Sequence, residues 1–181
     1  MPDLSTARRA PLVAESALVR PLPPAARYIL RGDPQVMDAA GEVLGLSIGQ
    51  TACRAAVHGE RAALWLGPDE QLLLAPSGST AEIAGLFGPR LRDLPHSLVD
   101  VSHRQMALQV GGPQAAAVMS AGCPLDLDRS AFPVGMCTRT MLAKAEIVLW
   151  RTADVVFRIE VWRSFAAYVS RFLAEAAREI I

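Results

Sequence analysis

The densest concentration of chemistry-bearing side chains lies in LVDVSHRQMALQVGGPQ, residues 98–114. There Asp100, Ser102, His103 and Arg104 precede a Gly-Gly-Pro turn. A histidine in such a cluster could act as a general base, and the arginine could clamp a carboxylate or a phosphate. Beyond Asp100 the stretch supplies no second histidine, cysteine or acid at local spacing to complete a triad. The same residue types also suit a polar turn, because short polar side chains hydrogen-bond their own backbone. That reading expects a structural turn whose arginine pairs with an acid across an interface.

The remaining candidates are sparser. GGP and RGDP are not phosphate loops, since G-x-x-x-x-G-K-[ST] and G-x-G-x-x-G are both absent and proline removes donors from the turn. His58 lies in VHGE, which reads as a hairpin turn, and His96 follows Pro95 in an expected loop; neither has a second metal ligand at usable spacing. Cys53, Cys123 and Cys137 form no C-x-x-C, so neither a zinc site nor a disulfide framework is indicated. Trp65 and Trp150 read as core residues. Trp162, by contrast, is out of phase with the alternating run Val155, Phe157, Ile159 and Val161, which turns it off that strand's core face. An exposed indole beside Arg158 and Arg163 suits a protein–protein contact. Arg104, Arg139, Arg158, Trp162 and Arg163 are therefore the candidate interface residues, arginine being suited to bidentate pairing and aromatic stacking.

The elements that must hold these residues come in two copies. Gly32-Asp33-Pro34-Gln35 returns as Gly111-Gly112-Pro113-Gln114, each between a short apolar strand and a helix. Asp33 suits an N-cap and Pro34 the first helical turn. Gly122 and Pro124 stop the second copy of that helix. Leu64-Trp65, Asp69, Ser79 and Phe87 likewise return as Leu149-Trp150, Asp154, Ser164 and Phe172. Ser79-Thr80-Ala81-Glu82 reads as a capping box for a helix that Gly88-Pro89 ends. The helix after Ser164 is expected to carry one apolar stripe of Phe165, Tyr168, Val169, Phe172, Leu173, Ala176 and Ile180. Each half thus reads strand, helix, two or three strands, helix. The expected class is α+β, internally duplicated, with antiparallel-rich sheets and helices packed outside. Residues 1–26, with Pro21, Pro23 and Pro24, read as an extended proline-rich arm. Residues 27–181 form the domain, with half-repeats of about 27–95 and 96–181.

Composition narrows the function classes. The 181-residue chain is half apolar, enough for a sizeable core. Lys plus Arg and Asp plus Glu are 18 each, so the basic excess of a general nucleic-acid binder is missing. Arg8-Arg9 is not followed by the apolar run of an export signal, and no stretch approaches the ~18 apolar residues of a membrane span. A reducing cytoplasm is the expected compartment.

Five segments in order, LWLGPDEQLLLAP, SLVDVSHRQMALQVGGPQA, GCPLDLDRSAFPVG, TRTMLAKAEIVLWR and FRIEVWRSFAAYVSRFL, make the chain from about Tyr28 onward resemble the gamma subunit of heterotetrameric sarcosine oxidase. Gln71 departs from the family's usual G-P-D-E-W. The resemblance implies an accessory, non-catalytic chain with a fold similar to the folate-binding domain of glycine-cleavage T-protein. It further implies a complex with alpha, beta and delta subunits that oxidatively demethylates sarcosine. The products would be glycine and hydrogen peroxide, with formaldehyde or methylenetetrahydrofolate. FAD, covalent FMN, NAD, zinc and tetrahydrofolate are expected in the partner subunits, and no catalytic, cofactor or metal residue in this chain. Folate-dependent relatives carry a K-G-C-Y-x-G-Q-E type segment. The corresponding FPVGMCTRTMLAK, residues 132–144, keeps Gly135 and Cys137 but has no Gln-Glu pair. The other reading is a free-standing folate or small-molecule-binding protein of one-carbon transfer with the same fold. An oxidase acting on another N-methyl amine is a further possible parent complex.

Overall fold

The computed structural model describes residues 18–180. Ten strands and four helices follow one another as β1 (Val19–Pro21), β2 (Ala25–Gly32), α1 (Pro34–Leu44), β3 (Ala55–His58), β4 (Arg61–Gly67), β5 (Glu70–Pro76), α2 (Thr80–Leu91), β6 (His96–Asp100), β7 (Gln105–Gly111), α3 (Ala115–Ser120), β8 (Cys137–Leu142), β9 (Ala145–Ala153), β10 (Val156–Trp162) and α4 (Arg163–Ile180). They build two antiparallel five-stranded sheets, ordered β3-β4-β5-β2-β6 and β1-β7-β10-β9-β8. One core packs α1 and α2 on the first sheet, and a second packs α3 and α4 on the other. A third cluster, Ala62, Leu64, Leu72, Leu74, Val101, Cys137 and Val148, lies between the sheets. The layers therefore run helices, sheet, sheet, helices. This is the duplicated α+β architecture with helices outside that the repeat implies.

Local sequence accounts for the first repeat unit. Asp33 caps α1 by accepting from the Val36 N–H at 3.0 Å, Pro34 opens the helix, and Gly45 closes it at φ 68. Residues 18–26, however, are not a free arm. Val19–Pro21 pairs with Val110–Leu108 of β7, and Leu18, Val19 and Ala26 are buried. Proline at the end of an edge strand costs no ladder bond on its solvent side. The rest of the arm expectation, residues 1–17, lies outside the described residues, as do the side chains of Ser79, Thr80 and Ala81 in the expected capping box.

The sequence halves also do not coincide with the sheets. β1 joins the sheet of the second half, while β6 pairs with β2 in the sheet of the first. The second half thus gives its first strand to the sheet of the first, a strand of the expected arm takes an edge of the other sheet, and the β1–β2 and β6–β7 links cross between the sheets. Two smaller expectations change as well. His96 opens β6 rather than lying in a loop, and α2 runs past Gly88-Pro89 to Leu91. Pro89 lacks an N–H, but Leu91 is fully buried, and a buried leucine contributes ~1.5–3 kcal/mol.

The largest correction concerns α4. Its core face is Ala166, Val169, Ser170, Leu173, Ala176 and Ala177. Phe165 and Tyr168, placed by periodicity in the apolar stripe, are 42% and 38% exposed, and Ile180 is exposed too. Small residues make up most of the inner face, and the bulky aromatics lie on its flank. Among the described residues no helix is long and apolar enough to cross a membrane.

Candidate functional site

The β6–β7 crossover carries Asp100, Ser102, His103 and Arg104, and the Asp100 and Ser102 side chains are spent on the turn and its attachment to β2. Asp100 Oδ1 accepts from the Ser102 N–H at 2.8 Å, and the Arg104 N–H donates to Val101 O at 3.0 Å. Ser102 Oγ accepts from the Arg27 N–H at 2.9 Å, and Val101 N–H donates to Arg27 O at 2.8 Å, stitching the turn to β2. The Ser102 hydroxyl above all, with its N–H and the nearby His103, holds the Asp100 carboxyl below the usual carboxylate range, outweighing the opposing effect of burial. His103 itself is exposed. The cluster is a structural turn between the two sheets.

Beside it lies the feature that sequence reasoning missed. Phe157, Ile159 and Val161 of β10 face the helix layer, so Arg158, Glu160 and Trp162 face the opposite way, toward the first sheet. Glu160 there accepts from Arg27 Nε of β2 at 2.6 Å, with both side chains about fully buried, at 1% and 2% exposed. Arg158 Nε donates to the same carboxylate at 2.8 Å, and Arg27 Nη1 donates to Ala25 O at 2.9 Å. One carboxylate thus holds two guanidiniums, of which Arg27, from β2, joins the two sheets. Arg158 and Glu160 stand two apart in an alternating strand, which hints that they share a face. That this face would be covered by a second sheet is not written in the strand.

The five interface candidates divide accordingly. Arg158 is bound to Glu160, and Arg139 of β8 makes a forked ion pair with Glu70. That hydrogen bonding raises the Arg139 pKa above its ordinary value, outweighing partial burial. Arg104, Trp162 and Arg163 do come together. The Arg104 guanidinium lies 4.9 Å from the Trp162 ring centre, and the Arg163 N–H donates to Arg104 O at 2.8 Å. Arg104 thus stacks on an aromatic of its own chain, and Trp162, 43% exposed, is the outward indole its phase implied. Trp65 and Trp150, in contrast, pack against the cluster between the sheets.

A cavity of about 390 Å³ is bordered by the loop after α3 and the β9–β10 turn. Its charged lining is occupied with holding that loop. Arg151 donates to Phe132 O at 2.6 Å and Leu127 O at 3.1 Å, and lies 4.6 Å from the Phe157 ring centre. Burial pushes its pKa below the ordinary value. Asp128 accepts from Ser130 N at 2.8 Å and Ser130 Oγ at 2.6 Å, Asp126 accepts from the Asp128 N–H at 2.9 Å, and Asp154 faces Arg129 at 3.5 Å. These acids make turns. Among the described residues no group of three or more His, Cys, Asp and Glu side chains could hold a metal ion. Burial pushes the Cys137 thiol up to about 12, so it is neither a thiolate nucleophile nor a ready ligand near neutral pH. The segment of residues 132–144 that corresponds to the folate motif supplies this buried thiol and the Arg139 already paired with Glu70.

Comparison with known proteins identifies the group to which this arrangement belongs. Residues 31–179 match the model of the "Sarcosine oxidase, gamma subunit family". The sarcosine oxidase subunit gamma of Corynebacterium sp. (strain P-1) is 36% identical over 148 residues, spanning 82% of this chain and 70% of that protein. Among solved structures, a chain of heterotetrameric sarcosine oxidase from Corynebacterium sp. U-96, in complex with pyrrole 2-carboxylate, superposes with TM-score 0.83. It is 28% identical, and the match covers 93% of this chain and 88% of that one. The glycine cleavage system aminomethyltransferase T from Bartonella henselae shares the fold at TM-score 0.66 and 14% identity, over 88% of this chain and 46% of its own. Sequence and fold converge: the chain belongs to the sarcosine oxidase gamma subunit family.

Proposed function

We propose that this chain is the accessory, non-catalytic gamma subunit of a cytoplasmic heterotetrameric sarcosine oxidase, with alpha, beta and delta chains as its partners. In that complex sarcosine is oxidatively demethylated to glycine and hydrogen peroxide, with formaldehyde or methylenetetrahydrofolate as the one-carbon product. FAD, FMN, NAD, zinc and tetrahydrofolate are assigned to the other subunits. The single observation that carries the reading is the similarity, along nearly the whole chain, to one chain of a solved heterotetrameric sarcosine oxidase. The engagement of Asp100, Asp128, Glu160 and Arg151 in structural bonds supports a chain that does no chemistry of its own. Residues 132–144 offer no acid for a pterin, so the T-protein likeness is read as an inherited fold and not an inherited site.

Co-expression with the large flavin-bearing and folate-bearing subunits tests this. A stoichiometric complex is expected, with sarcosine turnover only in the assembly and no flavin absorbance in the separately purified chain. Failure to co-purify at any salt concentration would overturn the subunit reading. The free-standing folate or small-molecule-binding protein would then take its place.

A further inference from the structure

We propose that the exposed aromatics at the start of α4, Phe165 and Tyr168, together with Trp162 at the end of β10 and the exposed Arg104, Arg163 and Arg171, form a surface that docks a partner polypeptide presenting carboxylates around an apolar centre. The proposal rests on the subunit reading above and adds to it the surface and the chemistry of the partner. Scattered exposed apolar side chains need no explanation. Here three aromatics with 43%, 42% and 38% of their surface exposed fall within seven residues. They continue inward, because Tyr168 stacks on the half-buried Phe172 at 6.4 Å between ring centres. Large aromatics beside arginine are the composition of residues that dominate binding energy at interfaces.

Charge decides the occupant. Arg104, Arg163 and Arg171 are exposed, and among the described residues none has an ion-pair partner, whereas Arg178 on the same helix is paired with Glu175. A second copy docking through this face would bring the same three cations against one another, as a two-fold contact requires. A surface bearing carboxylates removes that repulsion and gives each guanidinium a forked acceptor. The chain's net charge of zero argues against a nucleic-acid backbone as the occupant, which would call for a basic stripe of wider extent. The surface is also indented. Two clefts of about 140 and 130 Å³ flank this region, one lined by Arg104, Gln105 and Trp162, the other by Gln105 and Arg163. Gln105 lines both.

The test uses the full-length chain co-expressed with the large oxidase subunits. Phe165→Ser/Tyr168→Ser and, separately, Arg163→Glu/Arg171→Glu should each weaken uptake into the complex at least tenfold. The charge-reversed pair should also lose much of the salt dependence. Arg90→Glu, on α2 in the opposite outer layer, should leave uptake unchanged. If the aromatic pair proves poorly folded by urea unfolding, the charge-reversed pair decides, because its side chains are exposed. Wild-type uptake by both double variants would overturn this surface while leaving the subunit reading intact. Failure of the wild-type chain itself to enter the complex would overturn both. Two other results would assign the surface to a different occupant and sink the proposal. One is a wild-type homodimer dissolved by the variants with uptake unchanged. The other is binding to anionic vesicles or single-stranded nucleic acid that the variants abolish with uptake unchanged.

Discussion

Replacing Glu160 by glutamine should be among the most damaging single changes to this chain. The carboxylate is 1% exposed and takes Arg27 Nε at 2.6 Å and Arg158 Nη2 at 2.7 Å, with Arg27 itself 2% exposed. Glutamine keeps the volume but leaves two guanidiniums facing each other between the sheets without a counter-charge. Removing one member of a buried pair costs ~3–5 kcal/mol. In a chain of this size each kcal/mol moves Tm by ~2–4 °C, so the expected fall is about 6–20 °C. The matched control is Asp69→Asn, which breaks the Arg31–Asp69 pair at 2.9 Å. Both of its members are 54% exposed, so the cost should stay within ~1 kcal/mol. Arg27→Met/Glu160→Leu should recover most of the loss, because an apolar replacement of a buried pair is often neutral or better. Urea unfolding followed by tryptophan fluorescence reads all four proteins, and the single variants Arg27→Met and Glu160→Leu complete the double-mutant cycle that isolates the coupling. A Glu160→Gln cost below ~1 kcal/mol, no larger than the control's, would show that the site is hydrated and that the pair does not join the sheets.

His103→Ala should change turnover of the assembled oxidase by less than ~10-fold. A loss of ~10²-fold or more with assembly intact would mark a proton-transfer role for the exposed crossover histidine. Asp100 has a lowered folded-state pKa, caused first by the Ser102 hydroxyl. Its contribution is therefore full above the unfolded-state value near 3.8 and is lost as pH falls through the lower, folded one. The stability gap between wild type and Asp100→Asn should shrink between about pH 5 and pH 2, and a gap that is constant in urea titrations across that range would contradict this. Cys137, buried with its thiol pushed up to about 12, should react with a thiol reagent at pH 8 only on unfolding, whereas half-buried Cys53 reacts in the native chain. Mass-resolved labelling distinguishes the two.

Much of this molecule is determined by short-range sequence. The recurrence of Gly-x-Pro-Gln and Leu-Trp places the same strand–helix junctions and strand pairs in both halves, and the alternation of Phe157, Ile159 and Val161 orients β10 correctly. Trp162 faces outward as its phase requires, and the polar run Asp100–Arg104 is a turn because such residues satisfy their own backbone. These are local properties: cap, period and turn chemistry need only neighbours in sequence. Only the tertiary structure decided the rest. Periodicity alone could not say which sheet β1 and β6 would join, since a strand's pairing partner is chosen by long-range register. Nor could it say that the polar face of β10 would be covered, converting Arg158 and Glu160 from a solvated pair into an inter-sheet contact with Arg27. The same holds for α4. Phe165 and Tyr168 fit an apolar stripe by spacing, but the face that packs on the sheet is Ala166, Val169, Ser170, Leu173, Ala176 and Ala177, and the two aromatics stay outside. Hydrophobicity ranks which residues seek cover; which of them obtain it depends on the space that the other half of the chain leaves.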